Sequence, residues 1–188
     1  MRHFTIPLLL FLAAAPGARA AQTETGPSCP PPMEFAERKA DLLAELQETR
    51  SRADGLYLTR HLVGIFATAP NREAQKLLDK GISLRQAHAA AAGETLDALI
   101  AYCPDFAEGY HQRALLHQED GDLDAALADL DRALAQAPDH VAALARRVQV
   151  LSALGRAEEA TEAGDRLSGL NPWMPVEMLE PETPGTLL

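Results

Sequence analysis

The sequence predicts an all-α fold, a short α-solenoid of antiparallel helix pairs, and three observations carry that prediction. Pro70, Pro104, Pro138 and Pro172 stand 34 residues apart, and small and apolar residues recur between the later ones at matching offsets. A fixed period near this length marks units that cannot bury their own apolar faces and must stack on neighbours. Leu123, Ala126, Leu127, Leu130, Ala133, Leu134 and Ala137 fall at i, i+3, i+4, i+7, i+10, i+11 and i+14, one face of an α-helix. Finally, the apolar content is mostly Ala and Leu with only 5% aromatic residues, which suits close-packed helices better than strands.

The chain opens with Arg2, an apolar run from Ile6 to Ala15, a Pro-Gly break and the small-x-small triplet Ala18-Arg19-Ala20. This reads as a secretory signal peptide, residues 1–20, cut after Ala20. The apolar run falls well short of the roughly 20 residues that span a bilayer. A lipoprotein is disfavoured because Cys29 lies far beyond the apolar core, so the expected product is periplasmic or secreted with no transmembrane anchor. Removing Arg2 and Arg19 leaves fifteen basic against twenty-seven acidic residues, a charge of −12. Binding to nucleic acid or anionic lipid depends on clustered Lys and Arg; the sequence has no basic run, so neither partner class is expected.

Residues 21–32 are polar and proline-rich and read as a flexible segment, with helix beginning near Met33. The repeat domain is expected over 33–172. Its clearest unit is 107–140: Gly121 supplies a turn residue that tolerates positive φ, Asp122 an N-cap, and Asp124 a first-turn acid that suits the helix dipole. Pro138 ends the second helix by lacking an N–H and by biasing Ala137 away from helical geometry. The 141–174 unit follows with Leu144, Val148, Leu151, Gly155, Ala160 and Pro172, and Gly164 stands where a large apolar residue is expected, so its second helix should pack more loosely. In 73–106 the second helix keeps register through Ala92, Leu96, Leu99 and Ile100, while the first fits only when shifted by one, with Leu77, Gly81 and Leu84. The 39–72 segment (Leu42, Leu46, Leu58, Leu62, Ile65, Phe66) is a degenerate fourth unit, or else two unrelated helices before a proline. In the tail, 173–188, Trp173, Met174, Val176 and Met178 could fold back over the last helices or form a linear motif.

With Tyr110, Ala114, Gly121, Ala126, Ala133 and Pro138 at the fourth, eighth, fifteenth, twentieth, twenty-seventh and thirty-second positions of its unit, the 107–140 segment resembles a tetratricopeptide repeat. The resemblance implies a right-handed superhelix of three clear repeats plus the degenerate one, and a concave surface lined by the first helix of each unit. Partners in that family commonly lie there as extended peptides or helices. The implied groove positions are Glu108, His111, Leu115, Gln118 and Glu119 in one unit and Ala142, Ala145, Gln149, Ser152 and Ala153 in the next. His111 and Leu115 stand where the family's carboxylate-clamp members carry Lys and Asn, which disfavours a clamp. Arg113, Arg146 and Arg147 read as solvated helix charges or as contacts for an acidic partner.

Catalytic signatures are missing from the sequence: it has no Gly-x-Ser-x-Gly, no phosphate-binding glycine loop, no His-Glu-x-x-His and no Cys-x-x-Cys. Asp120, Asp122, Asp124 and Asp131 match the acidic positions of a calcium hand, but Ala125 takes the place of its turn glycine. His111 and His117 are six apart, about 240° around a helix, and do not share a face. No metal or other cofactor is therefore expected. Cys29 and Cys103 either form a disulfide in an oxidising compartment or stay separate thiols, since the sequence does not give the Cα separation. The expected function is a non-enzymatic protein–protein interaction scaffold of the periplasm or cell envelope. The alternatives are self-assembly through the C-terminal tail and an accessory subunit of an envelope enzyme.

Overall fold

A computed structural model describes residues 29–31 and 35–174. The expected signal peptide (residues 1–20), residues 21–28 and 32 of the segment that follows it, and Val176 and Met178 of the tail lie outside the described residues. Among those described there are eight helices: α1 (Ala36–Glu48), α2 (Arg52–Phe66), α3 (Arg72–Arg85), α4 (Ala89–Tyr102), α5 (Ala107–Glu119), α6 (Leu123–Gln136), α7 (Val141–Ala153) and α8 (Ala157–Leu170). The fold is all-α, with α3–α4, α5–α6 and α7–α8 forming tight antiparallel pairs and α4 and α6 each packing on the pair that follows.

Local chemistry sets the helix ends. Asn71 and Asp122 cap α3 and α6 by accepting from the backbone N–H of Ala74 (2.9 Å) and Ala125 (3.0 Å). Gly121 and Gly155 close the turns within the last two pairs at φ of 79° and 73°, the left-handed region that only glycine enters without strain. The corresponding turn after α3 has no left-handed residue; the N–H groups of Ala87 and His88 both bond to the Leu84 carbonyl instead. Each of the four spaced prolines lies in a link that follows a second helix or in the segment after α8.

Small residues let the helices approach closely. A Cβ on Gly81 would come within 2.7 Å of the Leu96 side chain, so α3 and α4 pack closely at that point. Ala114 and Ala126 play the same part in α5–α6, both fully buried. Leu130, Leu144, Leu151 and Leu167 fill the core between pairs, each contributing roughly 1.5–3 kcal/mol by leaving water.

The pair α1–α2 behaves differently. It is a helical hairpin, as the period suggested, but α2 packs only marginally on α3, the next element in the chain. Its apolar residues Leu42, Leu46, Leu58, Leu62 and Phe66 instead join the same core cluster as residues of α5 through α8. The hairpin lies lengthwise along the array, out along α1 and back along α2. Cys29 is bonded to Cys103 at the end of α4, Lys39 meets Asp139 in the α6–α7 link, and Gln47 reaches the end of α8. On the return, Thr59 meets Asn171 and Phe66 meets His140. A proline-terminated pair of apolar stripes specifies two helices, and the surface that covers those stripes is set by tertiary contacts distant in sequence.

Candidate functional site

The surface under the hairpin is the edge where inter-unit links meet the starts of α5 and α7. The C-termini of α1 and α8 meet there and cap one another. Trp173 Nε1–H donates to the Leu46 carbonyl at 2.9 Å, and Gln47 Nε2 donates to the carbonyls of Gly169 and Leu170, each at 3.1 Å. These carbonyls belong to last turns, where no partner exists within the helix. Trp173 also lies against Gly55, at the start of α2. Trp173 and Met174 fold back, but Trp173 comes to rest on the N-terminal hairpin, where the sequence reading pointed to the last helices.

Nearer the middle, Lys39 Nζ bonds Asp139 at 2.8 Å and stands 5.2 Å over the Phe66 ring. Phe66 in turn stacks on His140 with ring centroids 4.3 Å apart. Beneath that stack lies a buried polar cluster. Glu108 Oε2 faces His140 Nε2 at 2.9 Å and His111 Nδ1 at 3.1 Å, while Gln112 Nε2 donates to Glu108 Oε1 at 2.6 Å. Arg85 of α3 donates to Gln112 Oε1 at 2.8 Å, and it also pairs with Glu119. The network therefore ties α3, α5 and the start of α7 together.

The backbone fixes the tautomer of His140. Its Nδ1 accepts the Ala143 N–H at 3.3 Å, capping α7, so the ring proton sits on Nε2 and is donated to Glu108. Burial pushes His140 below the ordinary histidine value, against the opposing pull of Glu108. For Glu108, burial acts to raise the carboxyl, but the nearby His111 and the hydrogen bonds from both histidines overcome it and hold it well below the usual carboxylate range. The cluster is an anionic carboxylate held by buried polar donors.

Glu108, His111 and His140 also bring ligand-type atoms within 4.8 Å of one another. A metal on His140 Nε2 would need that nitrogen unprotonated and the proton on Nδ1, where it would point at the Ala143 N–H. The three side chains fit a hydrogen-bond network better than a coordination sphere.

The groove positions taken from the resemblance divide into two sets. Glu108, His111, Leu115, Ala142, Ala145 and Gln149 are buried, so they are not an open binding surface in this conformation; Ala145 shares its core cluster with the hairpin residues. Gln118 is half-buried, and Glu119, Ser152 and Ala153 are exposed at the far ends of α5 and α7. Arg113 bonds Asp97 (2.6 Å) and both carboxylate oxygens of Asp129 (2.7 Å), Arg147 bonds Asp131 (2.8 Å) and Arg146 reaches Gln118 (3.4 Å). These arginines thus make contacts within the chain. Asp122 serves as the α6 cap and Asp131 as an ion-pair partner, while His117 lies 3.6 Å from Asp129.

Cys29 and Cys103 are bonded, with Cα atoms 5.1 Å apart. Sequence reasoning missed His140, the residue that joins the cluster to the hairpin. Its one sequence signal is that it lies two residues past Pro138, directly before a helix start, where a side-chain acceptor can serve as a cap.

Residues 117–172 match the tetratricopeptide repeat family. The match runs from the last turn of α5 through α8, and α3–α4 stack on it in the same antiparallel manner. Tetratricopeptide repeats are in general interaction modules without catalytic chemistry. Comparison with curated proteins finds no match.

Proposed function

We propose that the protein is a non-enzymatic interaction module of the periplasm or cell envelope, and that its tetratricopeptide array receives a helical partner along the face lined by α5 and α7. One observation carries the reading: a two-helix segment, α1–α2, already lies against the links beside the starts of α5 and α7 and against the end of α8, with apolar side chains buried and helix-end carbonyls capped in both directions. The face is thus shaped for an amphipathic helix pair. The leader-like pattern of residues 1–20 in the sequence supports the envelope placement, and the disulfide agrees with an oxidising compartment.

Crosslinking the chain in envelope extracts tests this reading. The expected result is a reproducible protein partner whose recovery falls when Ser152 or Gln118 at the open end of the face is replaced by arginine. Recovery of nothing that responds to those substitutions would overturn it. Sequencing the mature N-terminus tests the export part, with a start at Ala21 expected.

A further inference from the structure

The contacts of α1–α2 are distributed in an unusual way along the chain. The hairpin is joined to the array by residues 67–71 alone and packs only marginally on α3, yet it is fastened to distant elements throughout its length. Cys29 is bonded to Cys103, Lys39 pairs with Asp139, Phe66 stacks on His140, Thr59 bonds Asn171, and the Leu46 carbonyl receives Trp173. None of these contacts depends on which copy of the chain supplies the hairpin. We propose that α1–α2 is an exchangeable arm and that the partner of the array is α1–α2 of a second copy, giving a two-fold dimer in which Cys29 of each copy bonds Cys103 of the other.

This deepens the reading above and rests on it. Three polar groups of the array are matched by the arm: Asp139 by a lysine, Asn171 by a hydroxyl, and the Trp173 N–H by a last-turn carbonyl. The occupant that supplies each of these, together with Leu42, Leu46, Leu58, Leu62 and Phe66 in the core, is this chain's own segment. Exchange reproduces every such contact between copies, so it costs the entropy of association and a rearrangement of residues 67–71. Pro70 fixes its own φ and biases Ala69 toward extended backbone, so the link is short and stiff; Ala69 is buried and its N–H donates to Gln75 at 2.8 Å, which limits the rearrangement to the residues before it.

The covalent step balances as an ordinary thiol oxidation. The Cys29 thiol of one copy and the Cys103 thiol of the other lose two electrons and two protons to a disulfide oxidant, which becomes two thiols. The same chemistry closes the bond within one copy, so concentration at the time of oxidation decides between the two products.

Complementary variants of the full mature chain test the proposal, because neither can form the native bond alone. Cys29→Ser and Cys103→Ser chains are mixed under reducing conditions, concentrated and reoxidised with oxidised glutathione. The expected product is a heterodimer carrying a Cys29–Cys103 linkage by peptide mass spectrometry, lost when Leu62→Asp is added to the Cys103→Ser chain, whose arm no longer fits. Cys103 is only 2% exposed, so the bond reports on arm docking rather than chance collision. Unlinked chains, same-cysteine dimers alone, or a linkage indifferent to Leu62→Asp would each overturn it. Should a variant fail to fold, the wild-type chain is reduced, concentrated and reoxidised. A doubled mass that persists under non-reducing denaturation and vanishes with reductant supports exchange, and an unchanged mass overturns it. Capture of a different protein from envelope extracts is unaffected by either result, so the two readings fail separately.

Discussion

At the scale of single residues, Glu108 decides whether the covered face is stable. Its carboxylate takes hydrogen bonds from His111, Gln112 and His140, all buried. Glu108→Ala leaves those donors without an acceptor and should cost about 3–5 kcal/mol, read as a fall in Tm of about 10 °C. Glu108→Gln should cost less, because its carbonyl can still accept from one histidine. Equal stability of wild type and Glu108→Ala in denaturant titrations would contradict the network. The same cluster sets a pH dependence. His140 titrates lower in the folded chain than in the unfolded one, so below its ordinary value of 6.5 the unfolded chain binds more protons. Stability is therefore full above that pH and is lost as pH falls; Glu108, also lowered when folded, adds to the loss only below its ordinary 4.5. His140→Asn keeps a capping side chain while removing the titration, and it should flatten Tm between about pH 6.5 and 5. The groups facing His140 are Glu108, His111, Asp139 and the Phe66 ring. Little of this was legible in the sequence. Glu108 and His111 are polar residues at positions that line an open groove in the resembled family, and the residues that make them partners in a buried network, His140 and through Gln112 also Arg85, come from neighbouring units.

At the scale of helices, the sequence pattern reports how closely two elements approach, and glycines measure it. Gly164 of α8 has nothing within 4 Å of where its Cβ would sit, in keeping with the looser packing expected of that helix. Gly164→Ala should therefore stabilise by about 0.5–1 kcal/mol through helix propensity and loss of unfolded-state freedom. The same change at Gly81 pushes a methyl group to 2.7 Å from Leu96, itself fully buried, and should destabilise despite the better propensity. Thermal melts of the two variants, moving in opposite directions, check the argument; two upward shifts would refute it. The positions of α5–α8 were legible because each local cue agreed there: a periodic apolar face, a capping aspartate at 122, left-handed glycines at 121 and 155, and a proline in each closing segment. In α1–α2 the apolar stripes were equally readable, yet Leu58, Leu62 and Phe66 would look the same whether they faced a stacked neighbour or a surface running lengthwise.

At the scale of the whole molecule, the hairpin turns an open array into one whose two ends are joined, through Trp173 on Gly55 at one end and Cys29 on Cys103 at the other. The disulfide closes a loop with a sequence separation of 74, a length at which cross-linking removes about 4 kcal/mol of unfolded-chain entropy. Its position gives that stabilisation a direction. The loop contains α1, α2, α3 and α4 and excludes α5 through α8, so reduction loosens the first group while leaving the packing within the second unchanged. In the Cys29→Ser/Cys103→Ser chain, amide hydrogen exchange should therefore accelerate first in α1 and α2, which have the fewest contacts with their sequence neighbours. Exchange in α6 through α8 should change least, and Tm should fall by roughly 10 °C. Acceleration spread evenly over all eight helices would mean that the hairpin and the array unfold as one cooperative unit. An arm that exchanges between copies must open without unfolding the face that receives it, so even acceleration would also count against arm exchange.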